Sequence, residues 1–508
     1  MKAKPSEGPK SQERQTLASL GGEGEEQVTV NARGAATAAA TPMRRERAVQ
    51  VDSWALRSAV IRVHAICDKA NERRAPMSET EEAVSTELAT ASLTMEAVLA
   101  RANMRAAWTQ VKGNKGAAGV DAKRIADTEE HLKAHWPAIR DKLLAGAYQP
   151  SRVRLVEIPK AGQAGTRRLG IPTVQDRLIQ QALSQILGAH YDRQMSQSSY
   201  GFRPGRSAHQ AIDAARAYVA SGKGWVVDID LKSFFDQIEH DRLMTMIGEQ
   251  VRDKRILSLI GRTLRAPMEH ADGRREKRAQ GSPQGGPLSP LLANIYLSPL
   301  DRELEQRGIG FVRYADDIAL FVGSRRAAER ALDAVRQWLA KHLKLEINED
   351  KSGIGPSEES QLLGFRIHEH GEVSVAPKAL AKLKLRVRAQ WDARKSQTDV
   401  ERREGWRRYI DGWWNYFGYA NWQREVRSLS GWMRRHIRKY YWQRWHNRAG
   451  RRNALERNGI TGRELGVAGC RRGAWRMARH GVMHRALGTA KLNRWGLQLP
   501  WELAGATP

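Results

Sequence analysis

The stretch Gly310-Phe311-Val312-Arg313-Tyr314-Ala315-Asp316-Asp317-Ile318-Ala319-Leu320-Phe321-Val322 places two β-type runs on either side of a short acidic corner. Runs this close together predict a hairpin with the aspartates at its tip. Asp is common in turns because it tolerates their backbone angles, so residues 314–317 acquire chemical meaning only beside a second acidic segment. That segment lies about ninety residues upstream, in Val226-Val227-Asp228-Ile229-Asp230-Leu231-Lys232-Ser233-Phe234-Phe235-Asp236. There an apolar strand delivers an acid at its end, followed by a turn and two aromatics. Hard divalent cations such as Mg²⁺ take oxygen ligands, usually a few carboxylates together with substrate phosphates. An Asp on one strand and an Asp on a neighbouring hairpin can form such a clamp. Two-metal phosphoryl transfer needs one, with the ions roughly 4 Å apart.

Working outward, strands are predicted over 225–229, 310–313, 318–322 and 362–367, with a helix over 329–343 between the last two. Strands and helices in this order predict an α+β layer, a sheet backed by helices. Further upstream, Leu132, Trp136, Ile139 and Leu143 recur at helical spacing within 131–144 and predict a helix with one buried face. Residues 1–50 are rich in Ser, Gly, Ala, Glu and Gln, and are expected to be disordered.

The chain has 508 residues, enough for two or three domains, and 41% of them are hydrophobic, enough for a packed core despite a mean hydropathy of −0.60. A net charge of +29 points to a polyanionic partner. Much of that charge is concentrated: residues 371–508 hold 30 Lys and Arg against 10 Asp and Glu, a surplus of 20, and 11 of the 16 tryptophans. Guanidinium groups take phosphates and rings take unstacked bases, so this composition suits RNA. Most of these tryptophans are nevertheless expected to be core residues of a helical domain, with a minority touching RNA. Two cysteines, Cys67 and Cys470, exclude a disulfide framework and a four-cysteine zinc site. No run of 18 apolar residues predicts a membrane span, and the first fifty residues lack a signal core, so a cytoplasmic protein is expected.

Together the two acidic segments resemble the palm of reverse transcriptases, whose signature is the Tyr314-Ala315-Asp316-Asp317 quartet and whose first acidic motif looks like residues 228–236. The resemblance implies Asp230, Asp316 and Asp317 as catalytic acids. It implies Asp230, Leu231 and Asp316 as ligands of two Mg²⁺ ions, with Mn²⁺ a possible substitute. Asp228 stays open: it could lie beside Asp230 on one strand face or on the opposite face from a third ligand. Phe235 matches the aromatic that lies under the sugar and excludes a 2′-hydroxyl, with Phe234 the alternative.

Gln280-Gly281-Ser282-Pro283-Gln284-Gly285-Gly286-Pro287 is too rich in Gly and Pro for regular structure and leads into an apolar helix. It resembles the family's fourth block, which implies Pro283, Gln284 and Gly285 at the nucleotide and template pocket. Ile158-Pro159-Lys160 and Arg167-Arg168-Leu169-Gly170 look like the fingers motif that grips a triphosphate, implying Lys160 and Arg167. A proline commonly stands where this chain has Arg168, so the choice between Arg167 and Arg168 stays open. Asp176-Arg177 and residues 202–207 fit the next block, Asn348 and Lys351 the sixth, which implies Lys351 at the nucleotide, and Leu363-Gly364-Phe365 the seventh.

The subtype is similar to proteins encoded by bacterial group II introns. After the palm, Tyr409-Ile410-Asp411-Gly412-Trp413-Trp414-Asn415-Tyr416-Phe417 and Trp432-Met433-Arg434-Arg435-His436-Ile437-Arg438 resemble their maturase domain. This implies RNA contacts at Arg407, Arg408, Arg434, Arg435, Arg438 and Lys439. The expected architecture is a right-hand polymerase: a disordered extension over 1–50, a helical region and fingers over 51–225, a palm over 226–370, and a basic helical thumb/maturase domain over 371–508. The expected activity is RNA-directed DNA polymerisation that copies intron RNA into cDNA, coupled to splicing and retrohoming. Its partners would be the intron RNA, an RNA template with a DNA primer, target DNA and dNTPs. Retron-type enzymes lack the appended domain, and an RNA-binding splicing cofactor without polymerase would show eroded acidic motifs, whereas these are complete. A single cysteine in the second half predicts no HNH endonuclease with paired cysteines, and hence no target-strand nicking.

Overall fold

A computed structural model describes residues 93–159, 166–421 and 423–505. The extension expected over 1–50, the start of the helical region, Cys67, Lys160 and Trp422 lie outside the described residues. Helices of nine residues or more are numbered below.

Helices α1 (Arg101–Gly113) and α2 (Ile125–Leu144) are followed by an antiparallel pair, β1 (Val153–Pro159) and β2 (Thr166–Ile171). In α2, Ile139 and Leu143 are buried, and Leu132 and Trp136 pack partly buried against the same core, as their spacing predicts. Helix α3 (Val174–Asp192) buries Leu178, Ile179, Ala182, Leu183, Ile186 and Leu187, a stripe wide enough to take α1 along one side. Helix α4 (Ala208–Ala220) leads into β3 (Trp225–Asp230), where the palm sheet begins.

The chain then leaves the palm through α5 (His240–Gly248) and α6 (Lys254–Arg265) and returns to the first sheet. Strands β4 (Met268–Glu269) and β5 (Arg275–Glu276) extend it to the order β2-β1-β4-β5. The fingers sheet is therefore built from two separated pieces of chain and does not end at 225. Its second piece is two residues per strand, too short for any hydrophobic period to show.

Helix α7 (Ser289–Gln306), strands β6 (Gly310–Tyr314) and β7 (Asp317–Val322), helix α8 (Arg325–His342) and strand β8 (Gly353–Pro356) complete the palm, an antiparallel sheet of order β6-β7-β3-β8. Gly-Ile-Gly-Pro has no strand composition. It is tolerated as β8 because this is an edge, where Pro356 owes the ladder no further hydrogen bond.

Strand alternation sorts the palm residues onto two faces. Val227, Ile229, Phe311, Ile318 and Leu320 belong to a core shared with α5, α7 and α8. Val226, Val312, Tyr314, Ala319 and Phe321 belong to a second core with α4 and the thumb. Covering on both faces explains why 318–322 reads as a continuous apolar run rather than an alternation. The acids Asp228, Asp230 and Asp317 fall on the Val226 face by the same count.

A short hairpin, β9 (Phe365–Ile367) and β10 (Val373–Val375), stands apart from the palm sheet. The thumb follows with α9 (Pro377–Gln390), α10 (Asp399–Phe417), α11 (Gln423–Arg444) and α12 (Arg448–Arg457). Helix α10 starts on a capping box in which Thr398 accepts from the Glu401 N–H and Glu401 accepts from the Thr398 N–H. Trp391 packs against Trp406 and Tyr440 with ring centres 5.5 and 5.4 Å apart. Arg402, 1% exposed, lies 4.6 Å from the Tyr440 ring centre and donates to the Gln390 and Lys395 carbonyls, tying α9 to α10. Trp391, Trp406, Trp413 and Trp442 are buried, whereas Trp475 and Trp501 are exposed, so most of the aromatic wealth of this region is core. Residues beyond α12 fold back onto α11 through the short helices Ala474–Met477 and Pro500–Ala504. Among the described residues, no helix is long and apolar enough to cross a membrane.

Candidate active site

The β6–β7 hairpin turns on two residues, Ala315 and Asp316, because Tyr314 pairs with Asp317. Ala315 has φ +60°, the left-handed region that glycine usually fills in tight hairpin turns. For a residue with a Cβ this costs roughly 1–3 kcal/mol, and it persists only where the surroundings hold it. The turn therefore presents Asp316 and Asp317 at the sheet end by force of its neighbours.

Across the ladder, Asp317 stands directly opposite Asp230, and Ala319 opposite Asp228. Asp228 thus shares a face with Asp230, which settles the alternative left open by the sequence. Two contacts from the chain leading to β8 fix Asp230: Asn348 Nδ2 lies 3.2 Å and Lys351 Nζ 3.4 Å from its Oδ1. The Asn348 N–H also donates to the Asp230 carbonyl, and the Asp230 N–H to Ser352. Leu231 has a hydrocarbon side chain, buried in the core, so only its main-chain carbonyl could ligate an ion.

The electrostatics are those of crowded anions. Asp317 is solvent-exposed, yet the surrounding protein desolvates its carboxyl and Asp316, Asp230 and Asp228 repel its charge. These effects push its carboxyl up to about 7 against the pull of Lys351. Desolvation raises Asp228 to about 6, although Ser360 and the Gln361 N–H donate to its carboxylate. Among the described residues, no group of three or more His, Cys, Asp or Glu side chains is arranged to hold a metal ion by itself, so an ion here would need further oxygen ligands from water and substrate phosphates. An open carboxylate cluster fits Mg²⁺, which keeps waters and is shared with substrate phosphates. Mutual repulsion among the four acids is what a divalent cation would relieve.

The Gly-Pro-rich loop is bonded to the segment that follows β3. The Ser282 N–H donates to the Phe235 carbonyl at 2.7 Å, and the Gly281 N–H to the Ile238 carbonyl. On its other flank the Gly170 N–H donates to the Gln284 carbonyl at 2.9 Å. Gly285 has φ +130°, and an added Cβ would stand 2.5 Å from the Gly170 carbonyl oxygen. Only glycine fits there. The loop is thus stitched between the segment after β3 and strand β2, bringing Phe235, Pro283, Gln284 and Gly285 together. Phe234 is 2% exposed and belongs to the core, while Phe235 is half-buried. Phe235 packs against the same core but is the more accessible of the two rings.

Arg167 and Arg168 alternate on β2. Arg168 is bound by Glu276 of β5, which also faces His270. Arg167 is exposed. Asp176 is a structural residue, 3% exposed, accepting from Tyr148, Thr173 and the Ser151 N–H. Arg203 is likewise buried and paired with Asp192 at 2.6 Å.

In the thumb, Arg407 and Arg408 are exposed, Arg435 lies 5.3 Å from the Trp475 ring centre, and Lys439 is half-buried. Two of the expected RNA contacts are instead committed inward. Arg434 pairs with Glu502, and Arg438, 7% exposed, donates to the Leu487 carbonyl at 3.1 Å. Helical spacing on α11 could not separate the two kinds of arginine, because their partners lie about fifty residues or more downstream.

The sequence reading also missed Arg313. A charged residue inside the buried strand Gly310–Tyr314 must find a partner, and that was the available signal. It is 0% exposed and pairs with Asp301, 1% exposed, at 2.5 Å.

An antiparallel palm sheet bearing adjacent acids in and just after a two-residue turn, with a glycine-dependent loop shared with the fingers sheet, defines a template-directed polymerase. Residues 158–367 match the family described as reverse transcriptase (RNA-dependent DNA polymerase), and residues 380–459 match the group II intron maturase-specific domain. Protein YkfC of Escherichia coli is 32% identical over 276 residues, 46% of this chain and 71% of that relative. The group II intron-encoded protein LtrA of Lactococcus lactis is 37% identical over 213 residues, 41% of this chain and 34% of that protein. Nuclear intron maturase 2 of Arabidopsis thaliana mitochondria is 31% identical over 178 residues, 27% of this chain and 24% of the relative. The alignments thus span most of the first relative but only about a third and a quarter of the other two. The chain belongs to the group II intron-encoded reverse transcriptase/maturase family, a family of RNA-directed DNA polymerases that depend on divalent metal.

Proposed function

We propose that this chain extends a DNA primer along the RNA of its own group II intron, and that it binds the same RNA to assist splicing and retrohoming. The observation that carries the polymerase reading is the register of β3 against β7, which sets Asp230 opposite Asp317 with Asp316 in the adjoining turn. When bound, two Mg²⁺ ions at Asp230, Asp316 and the Leu231 carbonyl would supply Lewis acidity for attack and offset charge on the departing pyrophosphate.

The chain's own residues position and select. Asn348 and Lys351 hold the Asp230 carboxylate, and the Lys351 ammonium balances part of the acidic cluster while no substrate is present. The half-buried ring of Phe235, on a backbone anchored by the Ser282 N–H, would reject a 2′-hydroxyl by contact. Arg167, exposed on β2, offers its planar fork to phosphate oxygens, with Lys160 as a further candidate from the same sequence motif. Arg407, Arg408, Arg435 and Lys439 supply charge for the RNA backbone.

Primer extension on an RNA template tests the assignment. Asp316→Ala is expected to abolish DNA synthesis while RNA affinity stays within about twofold; wild-type extension by this variant would refute it. For the second activity, splicing of the cognate intron at near-physiological Mg²⁺ should accelerate when protein is added, and an unchanged rate would remove the maturase claim.

A further inference from the structure

The carboxylates lie on one face of the palm sheet, and a buried polar cluster lies under the same turn on the other face. Its centre is Arg313. Nε and Nη2 donate to the two oxygens of Asp301 at 2.7 and 2.5 Å, and Nη1 donates to Asn294 Oδ1 at 2.8 Å and to the Ala315 carbonyl at 3.1 Å. Asn294 Nδ2 in turn donates to the Gly201 carbonyl at 2.9 Å. Asp301 and Asn294 both come from α7 and are both 1% exposed.

Gly201 closes the circuit on the turn itself. A Cβ added there would collide with Ala315 N and stand 2.9 Å from the Tyr314 carbonyl carbon, so the two backbones touch as only glycine permits. Residues 198–201 are held along β6 by two hydrogen bonds of 2.8 Å, from the Tyr200 N–H to the Arg313 carbonyl and from the Arg313 N–H to the Ser198 carbonyl. Ala315 is thus gripped at its carbonyl by Arg313 and pressed at its nitrogen by Gly201, and Asn294 ties the two grips together.

We propose that Arg313, Asp301 and Asn294 are positioning residues that hold Ala315 in its left-handed conformation and thereby aim Asp316 and Asp317. The proposal rests on the reading that those two acids are catalytic. A buried ion pair is by itself weak evidence of a contribution to stability, since apolar residues of like volume often replace one without loss. What gives this pair a role is its third contact. The guanidinium spends two donors on Asp301, which fixes its plane against α7, and the remaining corner then points at the turn. Lys could keep the charge but not reach three acceptors in one plane.

The experiment measures kcat and KM for dTTP on a poly(rA) template with an oligo(dT) primer, together with melting temperature and RNA affinity, for the full chain. Asn294→Ala removes the tie while leaving the Arg313–Asp301 pair in place. It is expected to lower kcat about tenfold, equivalent to about 1.4 kcal/mol, with KM and RNA affinity within about twofold. Glycine adopts the left-handed conformation without strain, so adding Ala315→Gly to Asn294→Ala should recover at least threefold of the lost kcat. A role confined to packing predicts no such recovery. Arg313→Lys should show the larger loss of kcat if it folds; the Asn294 pair of variants decides the matter if it does not. The proposal is overturned by an unchanged kcat in Asn294→Ala, or by failure of the second substitution to restore activity. Should Asp316→Ala retain synthesis, the underlying assignment of the acids fails instead, and the two failures are told apart.

Discussion

Replacing Gly201 by alanine should cripple synthesis without touching any acid. The new Cβ would stand 2.9 Å from the Tyr314 carbonyl carbon and 3.2 Å from its Cα, with Ala315 N nearer still, whereas ordinary contact begins at 3.4 Å. All three obstacles are backbone, so no side chain can swing away. The turn must retreat, and a misplacement on the order of 1 Å at a catalytic group costs about 10²-fold in rate. That corresponds to about 2.7 kcal/mol of barrier. Single-turnover incorporation of one dNTP under saturating RNA measures it, since product release then drops out. Gly188→Ala is the control: nothing lies within 4 Å of its added Cβ, and it sits inside α3, where alanine favours the helix. Gly188→Ala should incorporate at the wild-type rate. If Gly201→Ala also stays within threefold of wild type, the turn does not govern the acids as the geometry says.

Other consequences can be measured separately. Phe235→Ala should admit ribonucleotides at least tenfold better relative to dNTPs, and unchanged sugar discrimination would return that ring to the core. Arg407→Ala and Arg408→Ala should each reduce the slope of log affinity against log salt by up to about 1. Arg434→Ala and Arg438→Ala should instead lower the melting temperature, since their partners are Glu502 and the Leu487 carbonyl; the reverse pattern would contradict the inward assignment. Burial, then Lys439, Arg388 and Arg435, lower His436 to about 4 from an ordinary value of 6.5. Because the folded state resists protonation, this histidine's contribution is full above pH 6.5 and is lost as pH falls toward 4. Between pH 7.5 and 5.5 the wild type should lose about 1 kcal/mol more stability than His436→Gln. Parallel pH profiles in denaturant melts would disprove it.

Much of the palm was legible because its signals are local. A tight acidic corner between apolar runs specifies a hairpin, and β3, β6, β7 and α8 fall within a few residues of the expected positions. The glycines and prolines of 280–287 likewise announce a constrained loop whatever surrounds it. Other elements carried no local signal. Strand β8 reads Gly-Ile-Gly-Pro and exists because β3 offers it a ladder, and β4 and β5 are two residues each.

Residue chemistry and backbone preference were therefore set by the sequence alone: the apolar palm strands β3, β6 and β7, which turn is acidic, which region is basic. Only the folded chain decided which side chains meet. It put Asp228 on the face of Asp230, sent Phe234 into the core and left Phe235 half-buried, bound Arg168 to Glu276 and left Arg167 exposed, and turned Arg434 and Arg438 inward. It also placed Arg313 beneath the β6–β7 turn. Each of these outcomes depends on sheet register or on a partner far along the chain, and a one-residue slip in register exchanges the two faces of a strand. Periodicity read along one segment carries no record of that registration.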